Sequence, residues 1–148
     1  MTLNVNLQWR EKMQFTSLAA EHEVLMDAKT PIGQGRAQTP KELLLGALTG
    51  CTGMDVIAWL RKHRQVPASF TIRAIAQLSE GGHPQVFTAV HLAFVIQGEV
   101  DADIALQGVK LSQSEYCGVS AMLVKAFPLT WEVLVNEQKV GEGRATFS

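Results

Sequence analysis

Charge is scarce in this chain. Only 18% of the side chains are Asp, Glu, Lys or Arg, and the 13 basic and 14 acidic groups leave a formal charge of -1. No net field draws in a polyanion, and no basic cluster is assigned to nucleic acid or acidic lipid, so neither partner is expected. Also missing is the apolar run of about 7 to 15 residues that a secretory signal carries. Met1 to Trp9 alternates polar with apolar residues instead, and a cytoplasmic location is expected. Cysteine is limited to Cys51 and Cys117, too few and too far apart in sequence for a disulfide framework. In a reducing compartment they are structural thiols or redox groups. What is plentiful is hydrophobic surface, 47% of 148 residues, which suits one domain, residues 1–148, with a sizeable core.

Leu3, Val5, Leu7 and Trp9 alternate with Asn4, Asn6, Gln8 and Arg10, and only a period of two sends those sets to opposite faces. The alternation resumes from Met13 to Ala19 and again at Val24, Met26 and Ala28, so three antiparallel strands are expected. Thr30 to Thr39 contains Pro31, Gly33 and Gly35 and reads as a loop. Thr39 is a suitable N-cap and Pro40 a suitable first helical residue. From Leu43 to Leu60 the only charge is Asp55. Such a run is a membrane span or a helix buried on nearly every side. Gly46, Gly50 and Gly53 interrupt it and hydrophobic strands flank it, which favours the buried helix over a membrane. Arg61, Lys62, His63 and Arg64 suit its carboxyl end, and Pro67 prevents continuation.

Phe70 to Leu78 and Val86 to Ile96 read as two long strands joined through Gly81 and Gly82. Asp101 and Asp103 precede a helical pattern, but the spacing lacks the turn glycine and bidentate acid of a calcium loop. Ser112 and Glu115 stand in capping-box relation before an apolar helical stretch from Val119 to Ala126, which Pro128 ends. Leu129 to Val135 is a last strand, and the glycine-rich end from Gly141 reads as a turn or loose tail. Strands that flank one very apolar helix give an α+β architecture with largely antiparallel sheets.

Taken residue by residue, Cys51 lies about eleven residues into the long helix, roughly 16 Å from its start, too far for the helix dipole to favour a thiolate. Asp55, one turn on, disfavours it further, so Cys51 reads as a small buried hydrophobe. Cys117, at the start of a helix, has the setting that favours an ionised sulfur.

The segment Thr39-Pro40-Lys41-Glu42-Leu43-Leu44-Leu45, then Leu48-Thr49-Gly50-Cys51-Thr52-Gly53-Met54-Asp55-Val56, and much later Tyr116-Cys117-Gly118-Val119-Ser120-Ala121-Met122-Leu123, resembles the OsmC/Ohr family of osmotically inducible and organic hydroperoxide resistance proteins. The resemblance implies an α+β fold of two intertwined subunits, a homodimer with the cysteine-bearing helices at its centre. It also implies that Cys51 attacks a peroxide as a thiolate and becomes a sulfenic acid, and that Cys117 resolves it as a disulfide. A dithiol reductant, a lipoylated protein in the best-known members, would reset the pair. No cofactor and no metal are implied. The surrounding leucines and methionines suit an organic hydroperoxide, whose alkyl tail gains about 0.8 kcal/mol per buried methylene.

Family peroxidases activate the first cysteine with an arginine of the first hairpin, held by a glutamate about ten residues before that cysteine. Here Lys41 stands ten residues before Cys51, and Glu42 nine before it. Nine steps of about 100° place Glu42 opposite Cys51 on a regular helix. Arg10 occupies the right hairpin, while Arg36 and Lys41 are the competing cations. The altered order keeps a second reading alive, a non-enzymatic redox sensor or binding protein for a small apolar ligand. His22, His63, His83 and His91 show no metal-ligand spacing, and Trp9, Trp59 and Trp131 suit packing.

Overall fold

Alternation at the N-terminus folds as expected into a meander. In the structure, a computed structural model that describes residues 1–148, β1 (Asn6–Glu11), β2 (Gln14–Ala19) and β3 (His22–Met26) form an antiparallel sheet in that order. Leu18 faces Asn6 on one side and Glu23 on the other, which fixes the register. The chain divides into two compact units, Met1–Gly46 and Ala47–Ser148. In the first, the loop after β3 wraps the buried Asp27 carboxyl, which accepts the backbone N–H of Ala28 at 2.7 Å and of Arg36 at 3.1 Å. Satisfying those donors with one side chain lets a glycine-containing loop close without regular structure.

The long helix α1 spans Pro40–Lys62. Its first turn is a capping box: Thr39 N–H donates to Glu42 Oε1 at 2.9 Å, and Glu42 N–H donates to Thr39 Oγ1 at 3.3 Å. Its last turn closes on Arg64, whose φ of 60° permits Gln65 N–H to reach back to the Leu60 carbonyl at 2.9 Å. The helix has the length and hydropathy of a membrane span. Its own chain buries it along one stripe, Leu48, Thr52, Val56 and Leu60, spaced four residues apart as one helix face requires. Burial on nearly every side is therefore not achieved within a single chain.

The second unit holds a four-stranded sheet, β4 (Ser69–Leu78), β5 (Phe87–Gln97), β6 (Leu129–Val135) and β7 (Gln138–Arg144), in sequence order. The β4–β5 and β6–β7 pairs are antiparallel and β5–β6 is parallel, because the connection between them carries helices rather than a tight turn. That crossover consists of α2 (Ala102–Leu111), a π-helical turn (Ser112–Tyr116) and α3 (Gly118–Leu123). Asp101 caps α2, its Oδ1 accepting Asp103 N–H at 2.9 Å and Ile104 N–H at 3.1 Å. The core lies where Val90, Leu92, Phe94 and Ile96 of β5 and Leu129, Val133 and Val135 of β6 meet Ala105 and Val109 of α2.

Two expectations are corrected. The glycine-rich end is a strand, not a tail: Asn136 and Glu137 make a two-residue hairpin turn at φ of 50° and 70°, and β7 pairs Gly143 with Trp131. A Cβ on Gly143 would lie 2.6 Å from the Trp131 ring, so the glycine is there to let the indole lie across the strand. Ser112 and Glu115 do not form a capping box either. Ser112 turns its hydroxyl inward to α1, and the N-cap of α3 is Cys117, whose sulfur accepts Ser120 N–H at 3.3 Å.

Candidate active site

The two cysteines come together. Cys51, half-buried on α1, and Cys117, fully buried at the junction of the π turn and α3, are neighbours, close enough for the Cys51 sulfur to act on the ionisation of Cys117. The family resemblance implies this meeting, but no local pattern shows it, because β4, β5 and α2 intervene and only the crossover returns the chain to α1. Burial pushes the Cys117 thiol from its ordinary 9.0 up to about 11, and the neighbouring Cys51 sulfur adds to the rise. The Ser120 N–H, which donates to this sulfur, and the nearby Ser120 hydroxyl act in the opposite sense but lose to desolvation. The expected thiolate at Cys117 is thus corrected: a six-residue helix start does not outweigh a dry site. The expectation that Cys51 is merely a buried hydrophobe is corrected too, since it is partly exposed and neighbours a second sulfur.

Beside the thiols runs a chain of polar groups that sequence reading did not assign. Ser112 Oγ donates to Asp55 Oδ2 at 2.8 Å, so its single proton is committed. Thr52 Oγ1, 2.7 Å from Ser112 Oγ, must therefore be the donor of that second bond. Gln113 Nε2 completes the series by donating to Thr52 Oγ1 at 2.9 Å. Thr52, Ser112 and Gln113 are all buried. The available signal was the presence of Thr52 and Asp55 inside an otherwise apolar helix run.

Asp55, Ala58 and Lys62 follow Cys51 at four, seven and eleven residues, the spacing of one helix face. With Trp59, Leu111 and Tyr116 they line a cavity of about 340 Å³. Lys62 Nζ stands 5.6 Å over the Trp59 ring, and Trp59 Nε1 donates to the Ile104 carbonyl at 3.0 Å. An apolar wall with charged edges thus lies on the same helix face as the half-buried thiol.

The other site candidates belong to the N-terminal unit. Arg10 lies on β1 and lines a concavity of about 320 Å³ with Gln14, Thr16, Glu23 and Leu25. Glu42 is engaged by Thr39 and stands 3.8 Å from Lys29 rather than pairing with Arg10. Those bonds to Thr39, then the nearby ammonium of Lys29, hold its carboxyl below the usual range. Arg36 is exposed and uses its backbone N–H on Asp27, and Lys41 is exposed in the first turn of α1. His63 bonds the Trp59 carbonyl and His91 bonds Thr130 and Glu132. No three His, Cys, Asp or Glu side chains converge to hold a metal ion.

The chain is similar to known proteins. Protein YhfA of Escherichia coli strain K12 is 32% identical over 130 residues, which cover 86% of this chain and 94% of that protein. The crystal structure of a hypothetical protein from Aquifex aeolicus VF5 superposes with a TM-score of 0.77 at 29% identity, covering 93% of this chain and 99% of that one. An organic hydroperoxide resistance protein OsmC from Legionella pneumophila has the same fold, with a TM-score of 0.66 at 14% identity over 90% and 96% of the two chains. The family model described as OsmC-like protein matches residues 33–132, taking in α1, the crossover helices and both cysteines, and the chain therefore belongs to the OsmC-like family.

Proposed function

We propose that the protein is a thiol peroxidase that reduces organic hydroperoxides through the Cys51–Cys117 couple. The observation that carries this reading is that the two cysteines are neighbours, the Cys51 sulfur acting on the ionisation of Cys117. Cys51, the more exposed of the two, attacks the terminal peroxide oxygen as a thiolate. The O–O bond breaks, the alkoxide takes a proton and leaves as an alcohol, and Cys51 becomes a sulfenic acid. Cys117, whose raised pKa keeps it a thiol at neutral pH, then attacks the Cys51 sulfur. The S–O bond breaks, the disulfide forms, and hydroxide leaves with the Cys117 proton as water. A dithiol reductant, such as a lipoylated protein, restores both thiols by exchange and is itself oxidised to a disulfide. The cavity beside Asp55 and Trp59 gives an alkyl or aryl group somewhere apolar to lie.

Arg10 is assigned the positive charge that activates Cys51, and Glu42 its carboxylate partner, as family resemblance implies. Both come from the N-terminal unit, and Glu42 would exchange its bonds to Thr39 for that role. The working form is assigned as a homodimer. In support, Leu44, Ala47, Gly50, Met54 and Ala58 form an exposed apolar and small-residue stripe on α1, with Met54 75% exposed, and Leu7 and Trp9 are exposed on the N-terminal sheet. Lone apolar residues at a surface are ordinary, whereas a continuous stripe on a central helix is the kind of surface a second copy covers.

Stopped-flow consumption of cumene hydroperoxide by the wild type, Cys51→Ser and Cys117→Ser tests the reading. Cys51→Ser should lose all turnover, and Cys117→Ser should complete one reaction and accumulate a sulfenic acid. Equal slow rates for all three would overturn it in favour of a redox sensor or a protein that binds a small apolar ligand.

A further inference from the structure

The π turn does two things through one residue. Its i-to-i+5 hydrogen bond runs from Cys117 N–H to the Ser112 carbonyl at 2.9 Å, so the backbone of Ser112 fixes where Cys117 begins. The side chain of the same residue is held on α1 by Thr52 Oγ1 at 2.7 Å and Asp55 Oδ2 at 2.8 Å. Thr52 is the residue next to Cys51. The route from one sulfur to the other is therefore Cys51, its chain neighbour Thr52, the Ser112 hydroxyl, the Ser112 carbonyl and Cys117, with only two hydrogen bonds along it. Ser112 and Thr52 are 0% exposed, so water does not substitute for either bond. An extra residue in a helical turn costs stability, and π turns of this kind concentrate at functional sites.

We infer that Ser112 is a positioning residue, locked by Thr52 and Asp55, that sets the reach of Cys117 to Cys51 and so governs the disulfide-forming step. This rests on the paired-thiol reading above but adds to it. Ser112 does not touch the peroxide, and its loss acts on the second chemical step. Condensation of the Cys51 sulfenic acid with the Cys117 thiol, which gives the disulfide and water, needs the two sulfurs held in line, and a loosened turn lowers the fraction of time they are. The same loosening weakens the disulfide relative to the two thiols, which raises the reduction potential of the couple.

The test uses the full chain as wild type, Ser112→Ala, Thr52→Val and Thr52→Ser. One equivalent of cumene hydroperoxide is added, samples are quenched with dimedone, and intact mass follows the sulfenic acid adduct and the disulfide over time. Separately, without peroxide, the couple is equilibrated in dithiothreitol redox buffers. Ser112→Ala should form the sulfenic acid at the wild-type rate and close the disulfide about tenfold more slowly, the scale of a lost buried hydrogen bond. Thr52→Val should shift in the same direction by less, because Ser112 still holds Asp55, and Thr52→Ser should behave as wild type. The potential should rise in the order Thr52→Ser, Thr52→Val, Ser112→Ala. Wild-type closure together with an unchanged potential in both Ser112→Ala and Thr52→Val overturns the inference. Thr52→Val keeps the side-chain shape and decides the matter if Ser112→Ala does not fold. A wild type that leaves the peroxide untouched refutes the peroxidase reading alone, since the potentials still report whether the chain sets the couple.

Discussion

Cys117 meets Cys51 from the buried side, as a thiol whose pKa is raised from 9.0 to about 11. This has a consequence for stability that does not depend on catalysis. In the unfolded chain Cys117 loses its proton near its ordinary value, whereas in the folded chain it keeps it. The folded state therefore binds more protons between pH 9 and about 11, and stability falls as pH rises through that window. Below pH 9 the contribution is fully present. Denaturant midpoints should drop between pH 9 and 11 in the wild type, and Cys117→Ala should flatten that part of the profile. An equally steep alkaline limb in the variant would contradict the assignment.

Gly108 lets α2 lie against the Trp59 indole of α1. A Cβ at position 108 would stand 2.8 Å from Trp59 Cδ1 and 3.4 Å from Trp59 Cβ, so the ring cannot escape by rotating its far end. Gly108→Ala should push α2 away and strain the Trp59 Nε1 to Ile104 bond. Overpacking of this kind costs about 1–3 kcal/mol, against which the ordinary helix gain of alanine over glycine, about 1 kcal/mol, works in part. Urea unfolding should show a net loss of stability with an unchanged slope, and a Trp59→Phe background should relieve part of it.

The legible parts of the fold are those whose signal is local. Leu3 to Trp9 alternates with the period of a strand, although the sheet starts only at Asn6 and both faces of β1 are exposed within the chain, and Thr39-Pro40 announces α1 because a cap acts within one turn. What was not legible depended on distant partners. Ser112-x-x-Glu115 has the spacing of a capping box, but Asp55 and Thr52 of α1 claim the Ser112 hydroxyl, and no local pattern reports that competition. Gly141 and Gly143 look like loop residues until Leu106 and Trp131 are seen above them. Both cysteines could be singled out from sequence and the resemblance implied their pairing, yet the proton-holding state of Cys117 follows from the crossover and its burial.

Glu42 closes the helix cap, and the peroxidase reading also makes it the partner of Arg10. Two substitutions separate the roles. Glu42→Gln keeps an oxygen to accept Thr39 N–H, so its melting temperature should stay near wild type. The Lys29 pair it gives up, at 3.8 Å on the surface, contributes little. Glu42→Ala removes the acceptor and should lower the melting temperature modestly. If its charge also steadies the activating arginine, Glu42→Gln should slow sulfenic acid formation about tenfold while leaving stability intact, on the scale of a lost charge-assisted bond. Wild-type peroxide kinetics in Glu42→Gln would confine this residue to the cap.

Asp27 organises the loop between β3 and α1, and its ionisation should govern the acid limb of stability. Burial opposes its charge, but the backbone N–H groups of Arg36 and Ala28 donate to the carboxylate and that of Gln34 lies near it, with the Arg36 guanidinium adding a smaller attraction. Together they outweigh the desolvation and hold the pKa below the ordinary 3.8. A carboxyl with a depressed folded pKa stabilises above its unfolded value, and that contribution disappears as pH falls through the folded one. Asp27→Asn turns an acceptor oxygen into an NH₂ group facing backbone donors, so at pH 7 it should be less stable than wild type. The gap between the two should be constant from pH 7 to about 5 and narrow below pH 4, where the wild type alone loses a charge. Thermal melts of both proteins from pH 7 to 2.5 measure it, and a gap that stays constant to the lowest pH would show that the loop does not depend on the ionised carboxylate.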